Sequence, residues 1–238
     1  INFDSPLKAV SISDFYRRWH ITLTRVISRF LYTPLSVFGL RKSSNPKSAQ
    51  FHLLVIWIPL LINFTAIAIW HGLTTTFLLF GLLHAIWYII EIETGQTKIW
   101  KIWKKHTSEV TRANIGRALF FLPMILCFAL FRSTSVDGWV HIVKEMFDFS
   151  KMKISSQTLF EFGCIFLAWS FCILLPNAYD LTKEYMSGLK TYKNPAVSNI
   201  MLTLRWRPNL FWGLVLASAL MMVIYHIGRL PPFLYLGF

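Results

Sequence analysis

Charged side chains, and acidic ones above all, are scarce in this sequence. Only 15% of the 238 residues are charged, and Lys and Arg outnumber Asp and Glu by 24 to 11, which gives a formal net charge of +13. Soluble domains carry about 25% charged residues, so this composition excludes an ordinary soluble domain. The basic residues lie between long apolar runs rather than on one soluble face, and we therefore predict no nucleic-acid partner.

Cysteine and the common catalytic motifs are equally scarce. The three cysteines, Cys127, Cys164 and Cys172, all fall in apolar runs and are interpreted as packing thiols. The sequence contains no HExxH, no paired-cysteine motif, no glycine-rich phosphate loop and no GxSxG turn. These absences give no support to a metal site, a nucleotide-binding loop or a serine-hydrolase mechanism, and we predict no metal and no bound cofactor.

Long apolar runs are the most prominent feature that is present. Hydrophobic residues make up 55% of the chain, and five runs stand out, at 51–70, 73–90, 115–131, 158–176 and 208–228. A helix rises about 1.5 Å per residue, so about 20 residues cross the hydrocarbon core of a bilayer. We predict an all-α polytopic membrane protein with about five transmembrane helices, forming a single membrane domain over residues 1–238.

The distribution of basic residues predicts the orientation of these spans. Most of the 24 lysines and arginines precede the first run, follow the second, or lie between the fourth and fifth. Those three segments share one side of the membrane if all five runs cross it, and the positive-inside rule makes that side cytoplasmic. The start of the chain resembles no cleaved signal peptide and lacks Met, so we expect the C-terminal part of a longer protein.

The segment before the first run is predicted to be an amphipathic helix over residues 11–31. Ser11 or Ser13 would cap it, and at about 100° per residue the apolar side chains gather on one arc, away from the arginines. The apolar members are Phe15, Trp19, Leu23, Val26 and Phe30. Such a helix is expected to lie flat among lipid headgroups, with His20 between the apolar and the basic arcs.

Histidines supply the candidate chemistry. His71 stands in "FTAIAIWHGLTTTF", between two apolar runs with no charged residue near it. A turn at that depth is tolerated where it is buried in protein or lines a wet cavity, so His71 is either a general base or a structural histidine. His84 lies in the second run with Tyr88 and Glu91 on the same face, as a proton path or as one hydrogen-bond network.

Two longer stretches carry a family resemblance. "SISDFYRRWHITLTRVISRFLYTPL" at 11–35 and "IWHGLTTTFLLFGLLHAIW" at 69–87 resemble the two signatures of the membrane-bound O-acyltransferase (MBOAT) superfamily. The similarity is to the branch that contains the membrane subunit of alginate O-acetyltransferase, with the D-alanyl transfer proteins of teichoic acids as more distant relatives. The stretches "LFRSTSVDGWVHIVKEMF", "LPNAYDL", "LRWRPN" and "FLYLGF" also resemble this branch.

The resemblance implies a set of site residues. The catalytic histidine would be His71, and the second family histidine would be His20, in Arg-Arg-Trp-His. His84 matches a histidine near the end of the second signature and would support the site. Asn63 is not implied by the resemblance but by its position about two helical turns before His71, and it is a candidate oxyanion donor. Arg17 and Arg18 could attract donor phosphates or simply anchor the segment at the membrane surface.

The resemblance also implies substrates and location. It predicts a multi-pass enzyme of the bacterial inner membrane that takes an acetyl group from cytoplasmic acetyl-CoA. The acceptor would be a hydroxyl of a cell-surface polysaccharide or a periplasmic acetyltransferase partner. Transfer of D-alanyl or longer acyl groups remains an alternative. A non-catalytic, transporter-like membrane subunit is the alternative from another class, since intramembrane histidines suit a transport site as well.

Overall fold

The computed structural model describes residues 1–151, 155–182 and 206–227, and this part of the chain contains helices and no strand. Two compact units are present, Ile1–Ile173 and Leu174–Phe238. The helices up to the boundary are α1 (Ile12–Tyr16), α2 (Ile21–Ile27), α3 (Thr33–Lys42), α4 (Ala49–His71), α5 (Thr75–Gln96), α6 (Lys98–His106), α7 (Glu109–Arg132), α8 (Val136–Met146) and α9 (Ser156–Leu174). The second unit contains α10 (Ala178–Thr182) and α11 (Leu210–His226).

Four helical stretches of the described residues are long and apolar enough to cross a membrane: Ala49–His71, Thr75–Gln96, Glu109–Arg132 and Ser156–Thr182. The fifth predicted span corresponds to α11, which has 17 residues and would extend about 25 Å at 1.5 Å per residue. Residue 228 of that run, the first two residues of "LRWRPN" and the terminal "FLYLGF" lie outside the described residues. The prediction of an all-α polytopic membrane protein is confirmed.

The Trp-His-Gly stretch forms the break between α4 and α5. Gly72 has a φ of 147°, in a region that side chains with a Cβ rarely adopt, and it ends α4 directly after His71. Thr74 then caps α5, because its hydroxyl accepts a hydrogen bond from the Phe77 amide at 3.3 Å. The consecutive helices α4 and α5 therefore form a helical hairpin with His71 at its tip.

Gly81→Ala is expected to destabilise this hairpin. A Cβ at Gly81 would lie 2.6 Å from the Phe64 carbonyl oxygen and 2.8 Å from the Ala68 Cβ, so α4 and α5 would have to separate. Overpacking of this kind costs about 1–3 kcal/mol. Gly95→Ala on the same helix is the matched control, since a Cβ there meets nothing within 4 Å. The thermal midpoint of the detergent-solubilised full-length protein should fall only for Gly81→Ala, and equal midpoints would contradict this packing.

The segment predicted as one amphipathic helix over residues 11–31 is not a continuous helix. It is interrupted, because residues 17–20 form a turn between α1 and α2 and His20 has a φ of 46°. It also does not lie apart from the bundle. The Tyr16 ring packs 5.0 Å from Phe64 of α4 and 6.0 Å from His84 of α5, centroid to centroid, and both partners lie inside candidate spans.

The segment over residues 12–32 instead turns back on itself beside α4 and α5, and we call it the re-entrant segment. It starts at Glu91, whose carboxylate accepts hydrogen bonds from the Ile12 amide at 2.8 Å and from the Ser13 hydroxyl. It reaches the tip of the α4–α5 hairpin at His20, where the ring lies 5.5 Å from Trp70. A π-helical turn, Ser28–Tyr32, then joins α2 to α3. The apolar arc of the predicted helix therefore meets protein at Phe15, which is buried.

Candidate active site at the Trp-His-Gly turn

His71 lies in an aromatic environment at the end of α4. Its ring packs edge-on against Trp70 at 4.7 Å and against Phe131 of α7 at 4.9 Å, centroid to centroid, and Phe77 of α5 lies 6.0 Å away. The side chain is partly buried rather than enclosed. An imidazole in this position is fixed in orientation by three rings on three helices and still has an open side, as a general base needs.

His20 is brought to the same place from a distant part of the sequence. Its ring lies 5.5 Å from the Trp70 ring, at 85°, and 5.7 Å from Phe3. The two imidazoles therefore contact one indole. The His20 Nδ1 atom is buried and has no hydrogen-bond partner among the described residues. A buried nitrogen without a partner is unusual in a folded protein, and binding of a reacting group is one explanation for it.

The backbone at His20 is left-handed, with a φ of 46°, in the turn that brings its ring to Trp70. A non-glycine residue with positive φ is strained and persists only when its surroundings hold it. Here residues 2–4 run alongside the turn. The Asn2 carbonyl accepts from the Ile21 amide at 2.9 Å, the Asn2 side chain accepts from the Thr22 hydroxyl at 2.7 Å, and the Asp4 amide donates to the Arg18 carbonyl at 2.8 Å. Neither Asn2 nor Trp70 was predicted as a site residue.

The two arginines before His20 have different surroundings. Arg18 is only 2% exposed, and its Nε donates to Asp14 Oδ1 at 3.1 Å while Nη1 donates to the Asp4 carbonyl at 3.4 Å. It is therefore enclosed by protein rather than presented to a phosphate in water. Arg17 is exposed, with its Nε donating to the Ser13 carbonyl at 3.2 Å. Of the predicted donor-binding pair, only Arg17 is open to solvent.

A cavity of about 280 Å³ lies between the re-entrant segment, α4 and α5. Its lining residues are Ser13, Tyr16, Thr24, Ser28, Tyr32, Leu60, Asn63, Phe64, Ile67, Tyr88, Glu91 and Ile92. Along α4 the cavity runs toward His71 and stops at Ile67, one helical turn short of it. Binding pockets for small ligands begin at about 300 Å³, so this cavity has room for a short chain rather than for a whole large ligand.

Asn63 lies on the cavity lining, whereas His71 lies beyond the end of the cavity. The Asn63 side chain is 5% exposed, lines the cavity, and has no hydrogen-bond partner for its Oδ1 among the described residues. The cavity lining includes neither His71 nor His20. The structure therefore places Asn63 beside whatever occupies the cavity, about two helical turns from the histidine pair.

His84 is packed inside the bundle. It is 0% exposed, its Nδ1 donates to the Phe80 carbonyl at 2.8 Å, and its ring centroid lies 4.0 Å from that of Phe80. A carbonyl can only accept, which fixes the proton on Nδ1. His84, Tyr88 and Glu91 do not form the single row that was predicted. Tyr88 and Glu91 line the cavity and Glu91 binds α1, whereas His84 is not part of the cavity lining. The structure therefore places His84 inside the bundle and not on the lining of the cavity.

Glu91 is the site-supporting residue whose role sequence reasoning missed. Its carboxylate accepts from the backbone amides of Ile12 at 2.8 Å and Ser13 at 3.4 Å, and from the Ser13 hydroxyl. These contacts join α5 to the beginning of α1 across 79 residues of sequence. An acid near the end of an apolar run was visible in the sequence, but its partner was not.

Comparison with known proteins gives three informative relatives, while no protein-family model matches the chain. A peptidoglycan O-acetyltransferase of Helicobacter pylori is 41% identical over 86 residues, which are 36% of this chain and 14% of that protein. A probable alginate O-acetylase AlgI of Pseudomonas putida is 22% identical over 244 residues, covering 100% of this chain and 46% of the relative. A teichoic acid D-alanyltransferase of Streptococcus thermophilus is 28% identical over 94 residues, covering 38% of this chain and 21% of the relative.

The resemblance predicted from the two signatures is confirmed by these homologues. The match to the alginate O-acetylase extends along the whole chain, so it includes both histidine-bearing stretches and the C-terminal motifs. The chain spans less than half the length of each of the three relatives.

Proposed function

Starting from homology to bacterial membrane O-acetyltransferases, we propose that the protein transfers an acyl group to a hydroxyl, with His71 as the general base. The observation that carries this proposal is the meeting of His71 and His20 at the Trp70 ring. Two segments far apart in sequence place their histidines on one indole at the tip of a hairpin. Strained backbone conformations cluster at functional sites, so the positive φ at His20 supports a role for this residue in the reaction.

The proposed reaction needs only groups of this chain, the acyl donor and the acceptor. The His71 imidazole removes the proton of the acceptor hydroxyl as the oxygen attacks the thioester carbonyl of acetyl-CoA. The carbon–sulfur bond breaks, the thiolate leaves and takes the proton from the imidazolium, and an ester is formed. The His20 Nδ1, which has no partner among the described residues, donates a hydrogen bond to the oxyanion during this step.

The cavity is the proposed entrance for the donor. It lies on the side of His71 from which α4 begins, and most of the basic residues predict that side to be cytoplasmic. Its volume of about 280 Å³ suits the narrow thiol-bearing arm of acetyl-CoA and not its nucleotide. Asn63 would then hydrogen-bond to that arm, and the exposed Arg17 would attract its phosphates at the entrance.

The acceptor is proposed to be a polysaccharide hydroxyl or a periplasmic acetyltransferase that passes the acetyl group on. The names of the relatives support this class, since they act on alginate, peptidoglycan or teichoic acid. The protein would then reside in the bacterial inner membrane. D-alanyl transfer is a second candidate, favoured by the similarity to teichoic acid D-alanyltransferases. A transporter-like subunit would move its cargo without forming an ester.

In membranes that contain the full-length protein, radiolabel is expected to pass from acetyl-CoA labelled in its acetyl group into an alkali-labile ester. The measurement is label in the polymer and protein fractions, compared with membranes from cells that lack the protein. Labelled D-alanine supplied as its carrier thioester tests the second candidate in parallel. Uptake of label into vesicles without any ester product would contradict the proposal and favour transport.

A further inference from the structure

The helix α6 has two strongly different faces. At about 100° per residue, its large apolar side chains fall within an arc of roughly 160° and its lysines occupy the remaining part of the circle. The apolar members are Ile99, Trp100, Ile102 and Trp103, and the basic members are Lys98, Lys101, Lys104 and Lys105. The sequence of the helix, "KIWKIWKKH", contains no acidic residue. The charge on this element is therefore entirely of one sign.

The apolar face of α6 is uncovered. Ile99 is 80% exposed, Ile102 is 59% exposed and Trp100 is 43% exposed. The Trp100 and Trp103 rings lie 4.7 Å apart, so they form one continuous apolar surface rather than two separate side chains. Exposed apolar surface of this extent indicates an interaction partner, because isolated soluble surfaces seldom keep it.

Both ends of α6 are fixed to the rest of the chain. Thr97 caps the beginning, with its hydroxyl accepting from the Trp100 amide at 3.2 Å. At the other end Arg112 of α7 donates to the Lys104 carbonyl at 2.8 Å and also to the Thr107 carbonyl. The helix α6 is thus attached at both ends between α5 and α7. Each of these two helices is long and apolar enough to cross a membrane. Its position between two spans places it where a chain leaves and re-enters the bilayer.

We propose that α6 binds the anionic phospholipid headgroups of the membrane surface at the ends of α5 and α7. The apolar face enters the boundary between headgroups and acyl chains, where tryptophan is favoured, and the four lysines lie among phosphates. A zwitterionic surface would cover the apolar face equally well, but it would offer no net charge to four lysines with no acidic neighbour in the helix. The charge complementarity therefore selects anionic lipid as the occupant.

The test compares thiol accessibility on the two faces of α6. Ile102→Cys and Lys101→Cys are made separately in the full-length protein, which is reconstituted into vesicles of phosphatidylcholine alone or with one quarter phosphatidylglycerol. Labelling by a membrane-impermeant maleimide is measured against the parent protein, which carries the native cysteines. With phosphatidylglycerol present, Ile102→Cys should react at least tenfold more slowly than Lys101→Cys. In phosphatidylcholine alone this protection should be smaller by severalfold.

The other outcomes overturn the proposal. Equal rates for the two cysteines in anionic vesicles would show that the apolar face is not at the membrane. Equal protection in both lipid compositions would show that apolar insertion or another protein segment covers the face without selecting charge. A further variant replaces Lys98, Lys101, Lys104 and Lys105 with Gln in the Ile102→Cys protein, and it should abolish the difference between the two compositions. A difference that persists would exclude the lysines as its cause.

Discussion

His71→Ala is expected to lower acyl transfer by about 10²–10⁴-fold, the range that a positioned general base contributes. The variant removes the imidazole ring that packs 4.9 Å from Phe131 and 4.7 Å from Trp70, centroid to centroid. The loss should appear in the rate at saturating acetyl-CoA, since the donor cavity ends at Ile67 and does not include His71. The measurement is ester formation in membranes with matched amounts of full-length protein.

His141→Ala is the control for this variant. It removes the same side chain from α8, where His141 is exposed, and it should leave transfer unchanged. Detergent-solubilised His71→Ala must also elute as intact protein, so that lost activity is not lost fold. Transfer at the normal rate in intact His71→Ala would remove His71 from the mechanism, reduce Trp-His-Gly to a structural turn, and make His20 the next residue to replace.

Glu91→Ala is expected to release the re-entrant segment from α5. The carboxylate accepts from two backbone amides and one hydroxyl of α1, and hydrogen bonds to a charged group contribute about 1.5–3 kcal/mol each. Two of these bonds at the lower value amount to about 3 kcal/mol, which corresponds to at least roughly 10²-fold more frequent opening, at about 1.4 kcal/mol for each factor of ten. Amide hydrogen exchange over residues 11–20 should accelerate by that factor, and transfer should fall because His20 is carried by the same segment.

Glu93→Ala is the matched control for Glu91. It lies two residues further along α5 and binds His52 Nδ1 at 2.7 Å and Trp57 Nε1 at 2.9 Å, both on α4. Its removal should speed exchange near the start of α4 and leave residues 11–20 protected. Unchanged exchange over residues 11–20 in Glu91→Ala would mean that packing of Phe15 and Tyr16 alone holds the segment. Glu91→Gln should be intermediate, since an amide oxygen still accepts but carries no charge.

The sequence by itself determined the membrane-crossing elements and the hairpin tip. A long apolar run can satisfy its backbone in lipid only as a helix, so length and composition suffice to predict α4, α5, α7 and α9. The break at His71 followed from the same local logic, because Gly72 can adopt a backbone that its neighbours cannot. Both results depend on residues that are adjacent in sequence.

Only the tertiary structure decided what the amphipathic segments face. Residues 11–31 and α6 both show an apolar arc opposite a basic one. In the first segment Phe15 and Arg18 are buried in protein, and the apolar side chains exposed there come later, at Val26 and Phe30. In α6 the apolar side chains of Ile99 and Trp100 are exposed. Periodicity shows that a helix has an apolar face, but it does not show whether lipid or protein covers that face. In residues 11–31 the position of the segment depends on Glu91, which binds the beginning of α1 across 79 residues, and on the left-handed turn at His20. Contacts so far apart in sequence leave no local pattern, and for this reason the pairing of His20 with His71 had to come from the fold.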